Sequence, residues 1–314
     1  MDDAIVCQGL VKRYGSVTAL DHLDLRVPQG SVFGFLGPNG AGKTTAIRLL
    51  TGLARASDGS ARVAGYDVGH DSIPLRRRIS YLDQQPHFYD WMRGRELLEF
   101  AGQLFGMHGA VLHRRVTEVL ALTGIADAAE RKVSGYSGGM RQRLGLAQAL
   151  INQPDVLFLD EPVSSLDPAG RHDLLSIIDG LRNTTTVFMS SHILADIERV
   201  CDRVAIINQG RLVVEASVEE LQARYALPIV VVQVEHADPA GLEALLERIR
   251  VQPWVSGVAL DRDEIRVGIR DSADAGSELL RLLAESGVSV VRYEHVRPNL
   301  EDIFLRLVGG EATI

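Results

Sequence analysis

The stretch that decides the fold of this chain reads Gly37-Pro38-Asn39-Gly40-Ala41-Gly42-Lys43-Thr44-Thr45. It fits the pattern G-x-x-x-x-G-K-[ST], whose glycines let the backbone curl until several N–H groups point at one phosphate. Lys43 adds a positive charge for the β- and γ-phosphates, and Thr44 offers a hydroxyl to Mg²⁺. We therefore expect the loop to bind a nucleoside triphosphate such as ATP, at the positive end of the following helix dipole.

The residues around this loop supply the setting that the motif requires. An apolar run at residues 31–36 precedes the loop and is typical of a buried strand. After the loop, Ile47, Leu50 and Leu53 recur at helical spacing. A strand, a glycine loop and a helix in this order favour a phosphate-binding loop over an ordinary glycine turn.

Length, composition and charge limit the possible classes of protein. The chain has 314 residues, of which 46% are hydrophobic, so two globular domains are the natural expectation. Its formal net charge of −8 disfavours a nucleic-acid partner. Cys7 and Cys201 show no metal-ligand spacing and indicate no disulfide framework. No apolar run is long enough to span a bilayer, so we expect a soluble chain that reaches a membrane through a partner.

The pattern of elements predicts an α/β domain followed by a smaller α+β module. Residues from about 4 to 220 alternate apolar runs with helical segments, which favours a largely parallel sheet, and residues 94–150 read as helical. From residue 227 onward the predicted order is β-α-β-β-α-β, the split βαβ or ferredoxin-like pattern, followed by a short helix. The strongest predicted strands of the first domain are Val32–Leu36, Ile79–Leu82, Val156–Leu159, Thr186–Ser190 and Val204–Asn208.

A second group of chemical residues follows one of these strands. Four apolar residues at 156–159 end in Asp160 and Glu161. Asp160 is therefore expected at the carboxyl end of a buried parallel strand, where it can hold Mg²⁺ beside Thr44. Since side chains alternate along a strand, Glu161 is expected to point elsewhere and to act as a general base on the attacking water.

A third group consists of Ser137, Gly138 and Gly139, which lead into a helix. A helix beginning at two glycines exposes free N–H groups and forms a second potential anion site. One nucleotide does not need two glycine cradles from the same subunit. We therefore expect the second cradle to serve the nucleotide of a neighbouring copy.

Together these residues resemble the ATP-binding subunits of ABC transporters. The resemblance extends over about residues 4 to 220, within an ATP-binding domain expected at 4–226 and an accessory dimerisation or regulatory domain at 227–314. The phosphate loop resembles Walker A, with Lys43 expected to take part in catalysis, and residues 156–160 resemble Walker B. Glu161 is similar in position to the catalytic glutamate, and the segment 137–139 resembles the signature loop.

The resemblance implies four further site residues. Asp167 matches the D-loop, His192 the switch histidine, and Gln84 the Q-loop glutamine. Tyr14 is similar in position to the aromatic residue that stacks on adenine. Gln84 would join Thr44 and Asp160 around Mg²⁺, although the adjacent Gln85 is the alternative Q-loop glutamine. The signature carries Tyr136 and Met140 where the family most often has Leu and Gln.

The resemblance also implies partners and a location. Two copies would form a head-to-tail pair that encloses two ATP molecules, and ATP binding and hydrolysis would drive an integral membrane permease from the cytoplasmic face of the membrane. Residues 86–93 would contact that permease, unless their aromatic residues pack inside the helical region. Residues 297–304 resemble the tails of ABC-2-type exporter ATPases of the drug-resistance and Na⁺-efflux groups.

Two alternatives remain at this level. One is a soluble ABC ATPase that acts in translation or DNA repair, which the single cassette and the acidic charge disfavour. The other is a nucleotide-dependent binding module without turnover, which Glu161 and His192 disfavour.

Overall fold

A computed structural model describes residues 3–70, 72–224, 229–235, 239–261, 263–270, 275–296 and 300–309. The chain divides into two compact units, Met1–Ala216 and Ser217–Ile314. The predicted boundary at 226/227 lies outside the described residues. The second unit begins before it because helix Val218–Arg224 packs against the C-terminal helix Leu300–Gly309.

The first unit contains ten strands and seven α-helices within the described residues. The strands are β1 (Asp3–Tyr14), β2 (Val17–Pro28), β3 (Val32–Leu36), β4 (Asp58–Val63), β5 (Tyr66–Asp67), β6 (Ile79–Leu82), β7 (Val156–Asp160), β8 (Thr186–Ser191), β9 (Arg203–Asn208) and β10 (Arg211–Ser217). The helices are α1 (Lys43–Leu50), α2 (Ser72–Arg78), α3 (Gly94–Leu104), α4 (Gly109–Leu122), α5 (Gly138–Leu150), α6 (Pro168–Asp179) and α7 (Leu194–Val200).

A six-stranded sheet carries the predicted motifs, in the order β10-β9-β3-β8-β7-β6. Strands β9, β3, β8, β7 and β6 are parallel to one another, so the predicted parallel sheet is confirmed. The register pairs Leu36 with Ser191 and Asp160 with Ser190. The phosphate loop, Asp160 and the residues after β8 therefore meet at one edge of the sheet, where parallel α/β sheets bind ligands.

Aromatic packing fixes the centre of this sheet. The ring centroid of Phe188 on β8 lies 5.8 Å from that of Phe33, 5.1 Å from that of Phe35 and 5.6 Å from that of Phe158. All four side chains are fully buried. Aromatic pairs at such distances contribute about 0.5–1.5 kcal/mol each beyond their buried area. This cluster holds β3, β7 and β8 rigidly beneath the loops that follow them.

A second sheet of the first unit was not predicted from the sequence. It is four-stranded, with the order β2-β1-β4-β5 and antiparallel pairing throughout. Register shifts interrupt the pairing of β1 with β2, including one between Cys7 and Leu10. Each shift breaks the two-residue alternation of buried and exposed side chains. The strand signal was therefore hidden, although both strands have 12 residues.

The second unit follows the predicted order of elements. They are α8 (Val218–Arg224), β11 (Ile229–Glu235), α9 (Pro239–Arg250), β12 (Val255–Asp261), β13 (Glu264–Ile269), α10 (Ala275–Ser286), β14 (Ser289–Val296) and α11 (Leu300–Gly309). The sheet order is β12-β13-β11-β14, with every pair antiparallel. Strand β13 thus lies between β11 and β12, as a split βαβ requires. The ferredoxin-like assignment stays a prediction that this order supports.

Candidate nucleotide site

The backbone of the phosphate loop depends on its glycines. Gly40 and Gly42 have φ angles of 81° and 109°, which strongly favour glycine. A Cβ atom at Gly42 would lie 2.5 Å from the carbonyl oxygen of Ala19, and one at Gly37 would lie 2.5 Å from that of Ile207. The loop is therefore wedged between β2 and β9 before α1 begins at Lys43. No larger residue at Gly37 or Gly42 could preserve this cradle.

The lysine of the loop is buried and held by its own loop. The side chain of Lys43 is 7% exposed, and its Nζ donates to the carbonyl of Gly37 at 2.8 Å and to that of Pro38 at 3.4 Å. The same Nζ lies 3.6 Å from Oε1 of Glu161. The charge of Lys43 is thus positioned inside the loop and paired with the expected catalytic carboxylate.

Glu161 lies at the centre of the site and contacts both other residues predicted to be catalytic. Its Oε2 lies 2.5 Å from Nδ1 of His192, while its Oε1 lies on the Lys43 side. Strand β7 ends at Asp160, and Glu161 takes a left-handed backbone conformation with a φ of 51°. That turn, rather than the alternation of side chains along a strand, sets the direction of its carboxylate. The reason given from the sequence was therefore wrong.

Ser190 holds both acidic residues in place. It is fully buried at the end of β8, and its Oγ donates to Oδ1 of Asp160 at 2.6 Å. The N–H of Glu161 donates to this Oγ at 3.0 Å and to the Ser190 carbonyl at 3.2 Å. One serine thus orients a carboxylate and fixes the left-handed turn beside it. Nearby on β6, burial raises the pKa of the Tyr81 phenol, as do the carboxylates of Asp83 and Asp160, which keeps the phenol neutral.

Nine of the predicted site residues border one cavity of 320 Å³. Gln84 is among them, whereas Gln85 lines a different cavity. The Nε2 of Gln84 donates to Oγ of Ser164 at 3.4 Å, and that hydroxyl donates to the carbonyl of Glu161 at 3.1 Å. The residues lining the cavity are Ala19, Asn39, Gly40, Gly42, Lys43, Thr44, Thr45, Gln84, Glu161 and His192.

The remaining predicted residues are not among those that line this cavity. Tyr14 is 49% exposed, and the Lys12 ammonium lies 4.8 Å from the centroid of its ring. Asp167 caps α6 by accepting from the N–H of Gly170 at 3.1 Å. Within the described residues, the cavity is therefore lined by part of the loop, Gln84, Glu161 and His192, and not by the adenine and D-loop candidates.

The signature segment also lies outside the cavity, at the exposed start of α5. Ser137 caps this helix, and its Oγ accepts from the N–H of Met140 at 3.3 Å. Gly138 and Gly139 form the first turn, and a Cβ atom at Gly138 would meet no atom within 4 Å. The unusual Tyr136 before them is buried, and its hydroxyl donates to the carbonyl of Ala128 at 2.7 Å. Tyr136 therefore anchors the segment from behind while its glycines face outward.

Sequence reasoning missed three residues of the site. Ser190 and Ser164 connect Asp160, Glu161 and Gln84, and Ala19 contributes a wall from β2. A hydroxyl residue at the end of an apolar strand was the available signal for Ser190. That signal gains meaning only when β8 is known to lie beside β7.

The fold and site define a phosphate-loop ATPase of the ATP-binding cassette class, and comparisons with known proteins identify the family. Residues 20–164 match the family described as ABC transporter. Residues 217–308 match the family described as ATP-binding protein DrrA1-3-like, C-terminal domain. The second match begins at the residue where the second compact unit begins.

Relatives of similar length match almost the whole chain. The uncharacterized ABC transporter ATP-binding protein YxlF of Bacillus subtilis is 36% identical over 96% of this chain and 98% of its own. The daunorubicin resistance ATP-binding protein DrrA3 of Streptomyces coeruleorubidus is 36% identical over 100% of this chain and 98% of its own. The bacitracin transport ATP-binding protein BcrA of Bacillus licheniformis is 33% identical over 99% of both chains.

Solved structures agree with this result. The ATP binding subunit of an ABC transporter matches with a TM-score of 0.65 and 26% identity, over 71% of this chain and 93% of its own. The chain therefore belongs to the ATP-binding subunits of ABC transporters, in the group that includes the DrrA and BcrA proteins, and it is an ATPase. The alternative in translation or DNA repair is not favoured. In the described part of the chain, no helix is long and apolar enough to cross a membrane.

Proposed function

We propose that this ATPase hydrolyses ATP at two sites shared between two copies of the chain, and that it thereby drives export through a separate integral membrane permease. One observation carries the proposal. The cavity of one chain is lined by Lys43, Gln84, Glu161 and His192, whereas the signature glycines do not line it and form the first turn of α5. A second copy is then needed to bring a signature segment to each nucleotide.

In this proposal Glu161 is the general base. The turn at Ser190 holds its carboxylate beside the cavity, where it could accept a proton from water. His192, hydrogen-bonded to that carboxylate, orients it and faces the same cavity. Lys43 places its positive charge among the carbonyls of the loop, where it neutralises negative charge on phosphate oxygens.

The residues around the cavity fit a magnesium ion. The hydroxyl of Thr44, the carboxamide oxygen of Gln84 and the carboxylate of Asp160 are the oxygen ligands that Mg²⁺ prefers. Thr44 and Gln84 line the cavity, and Asp160 is fixed beside it by Ser190. The ion would neutralise phosphate charge when it is bound. The role of this chain is to hold the three donors at the carboxyl edge of the sheet.

Contact with the permease is proposed at the segment Pro86–Arg93 on the cytoplasmic face of the membrane. Tyr89 and Trp91 are 55% and 69% exposed, and their ring centroids lie 6.0 Å apart. A cavity of 500 Å³ beside them is lined by Pro86 and Phe88, together with residues of β6 and α3. An exposed apolar surface of this kind suits a protein partner. The names of the DrrA and BcrA relatives support export as the direction.

Replacing the proposed base tests this function. We expect Glu161→Gln to lower the rate of ATP hydrolysis by about 10²–10⁴-fold, because the amide cannot accept the proton. ATP binding should persist, and a dimer should accumulate in the presence of ATP. Size-exclusion chromatography would detect this dimer. Glu243→Gln, at an exposed position of α9, is the matched control and should behave as the parent. Normal turnover in Glu161→Gln would refute the assignment of the base.

A further inference from the structure

Strand β14 forms one outer edge of the sheet in the described part of the second unit. Strand β14 is the last in the order β12-β13-β11-β14, and among the described residues it pairs with β11 alone. It has eight residues and contains no proline. Val290 and Val291 are 38% and 57% exposed. Long apolar edges usually pair or are protected, because their free N–H and C=O groups are a template for another strand.

The side chains of β14 alternate between two different faces. Its register places Tyr293 opposite Val232, a residue of the core beneath α9 and α10. The next residue, Glu294, lies opposite Val231 and faces the other way. Arg292 shares the face of Glu294 and forms an ion pair with it. The edge therefore presents one positive and one negative side chain, two positions apart on the same face.

Symmetry limits how such a strand can pair with its own copy. Consider two copies of a strand paired antiparallel about a two-fold axis perpendicular to the sheet. Residues that face each other point to the same side of the sheet only when the axis lies midway between the two copies of one residue. Below, an axis through a residue means an axis at that midpoint. An axis through Arg292 or Glu294 places two like charges directly opposite each other, which is unfavourable. With an axis through Val291 or His295, neither Arg292 nor Glu294 faces a residue of opposite charge. An axis through Tyr293 places Arg292 opposite Glu294 of the partner, and Glu294 opposite Arg292 of the partner.

We propose that β14 pairs antiparallel with β14 of a second copy about an axis through Tyr293, which joins two four-stranded sheets into one. Both cross-strand charge pairs are then complementary, within the regular part of the strand. The interface is isologous, so it closes as a dimer and leaves no further edge at this strand. The partner is therefore another copy of this chain.

A short pairing of this kind is weak by itself. The register of β14 against β11 shifts between Gln233 and Val234, which limits the regular ladder to Arg292–Val296. Pairing becomes favourable when another contact already holds two copies together, because the second contact is then intramolecular. The shared ATP sites would provide such a contact, but the self-complementary edge does not depend on them.

Cysteine cross-linking at the two-fold axis measures this pairing in the full-length chain. Tyr293→Cys would bring two thiols within the range of a disulfide, since the facing residues of paired strands have Cα atoms about 4.5–5.5 Å apart. Val290→Cys is the matched control, because its two copies would lie about 20 Å apart across the axis. The native Cys7 and Cys201 are buried, and burial raises the pKa of Cys7 to about 12, which suppresses their background reaction.

Charge reversal then tests the register. In the Tyr293→Cys background, Arg292→Glu or Glu294→Arg alone should lower the yield of cross-linked homodimer about tenfold, because like charges then face each other. Mixing these two single variants should restore cross-linking between the different chains, since every facing pair is again of opposite charge. Misfolding of either variant cannot produce that rescue. Arg281→Glu, at an exposed position of α10, is a charge-reversal control that should leave the yield unchanged.

The outcomes distinguish a failure of the β14 pairing from a failure of the shared ATP sites. The measurement is made without nucleotide at high protein concentration and again with Mg²⁺ and ATP, so failure of the shared ATP sites does not hide the pairing. Absence of cross-linking through Tyr293→Cys in both conditions overturns the proposal and means that the charges only shield the edge. If neither charge reversal lowers the yield of cross-linked homodimer, the proposed register is overturned.

Discussion

The two units of the chain differ in where they keep their charges. In the first unit, Lys43, Asp160 and Glu161 are all buried at one edge of a parallel sheet. In the described part of the second unit, no charged side chain is buried, and pairs such as Arg248 with Glu285 lie on the surface. Burying charge is costly unless it is paired, so clusters of this kind mark functional sites. We therefore infer that the first unit carries out the ATPase chemistry and that the second unit makes surface contacts.

Of two single-hydroxyl deletions, one in each unit, we expect the larger effect from the deletion at Ser190. We expect Ser190→Ala to lower ATP turnover about tenfold and the free energy of unfolding by about 1–3 kcal/mol, because it removes hydrogen bonds to Asp160 and to the N–H of Glu161. Steady-state ATPase assays and urea unfolding measure the two effects. Ser176→Ala, which removes an exposed hydroxyl bonded to the His172 carbonyl, is the control and should change neither by much. Unchanged turnover in Ser190→Ala would contradict the inference that the buried acidic residues of the first unit carry out the chemistry.

A smaller effect is expected from a comparable deletion in the second unit. The Tyr293 hydroxyl donates to the carbonyl of Gly276 at 3.1 Å, within the packing of α10 on the sheet. Tyr293→Phe should lower the free energy of unfolding of this unit by about 0.5–1.5 kcal/mol and leave ATP turnover unchanged. Thermal unfolding and the ATPase assay are the measurements. A clear loss of turnover would show that the second unit contributes to the chemistry, contrary to the comparison.

The sequence predicted the parallel strands well because each is a short apolar run buried on both faces. The expected strand Val32–Leu36 is found with the same bounds, and Val156–Asp160 ends at the predicted acid. The phosphate loop was predictable because its glycines are required by contacts of the backbone itself. The N-terminal antiparallel sheet was missed because bulges disrupt its alternation.

Residues that act through neighbouring strands were beyond sequence reasoning. The role of Ser190 depends on β8 lying beside β7, and the order of strands in a sheet is not written in local periodicity. The direction of Glu161 depends on a left-handed turn that an acidic residue rarely adopts. Motif register favoured Gln84 over the adjacent Gln85 as the Q-loop residue, and in the structure the two line different cavities.

The most direct test of the account asks whether one chain carries halves of two sites. Lys43→Ala disables the phosphate loop, and Gly138→Asp places a negative charge in the signature turn, where a side chain meets no neighbouring atom. Each variant alone should be inactive, since both sites of its dimer are defective. A mixed dimer would contain one intact site, formed by the loop of the Gly138→Asp chain and the signature of the Lys43→Ala chain.

The measurement is the ATPase activity of the two variants mixed in equal amounts. Random pairing puts about half of the chains into mixed dimers, so the account predicts recovery to about a quarter of the parent activity. A mixture as inactive as either variant alone would contradict the shared sites, as would full activity in Gly138→Asp by itself.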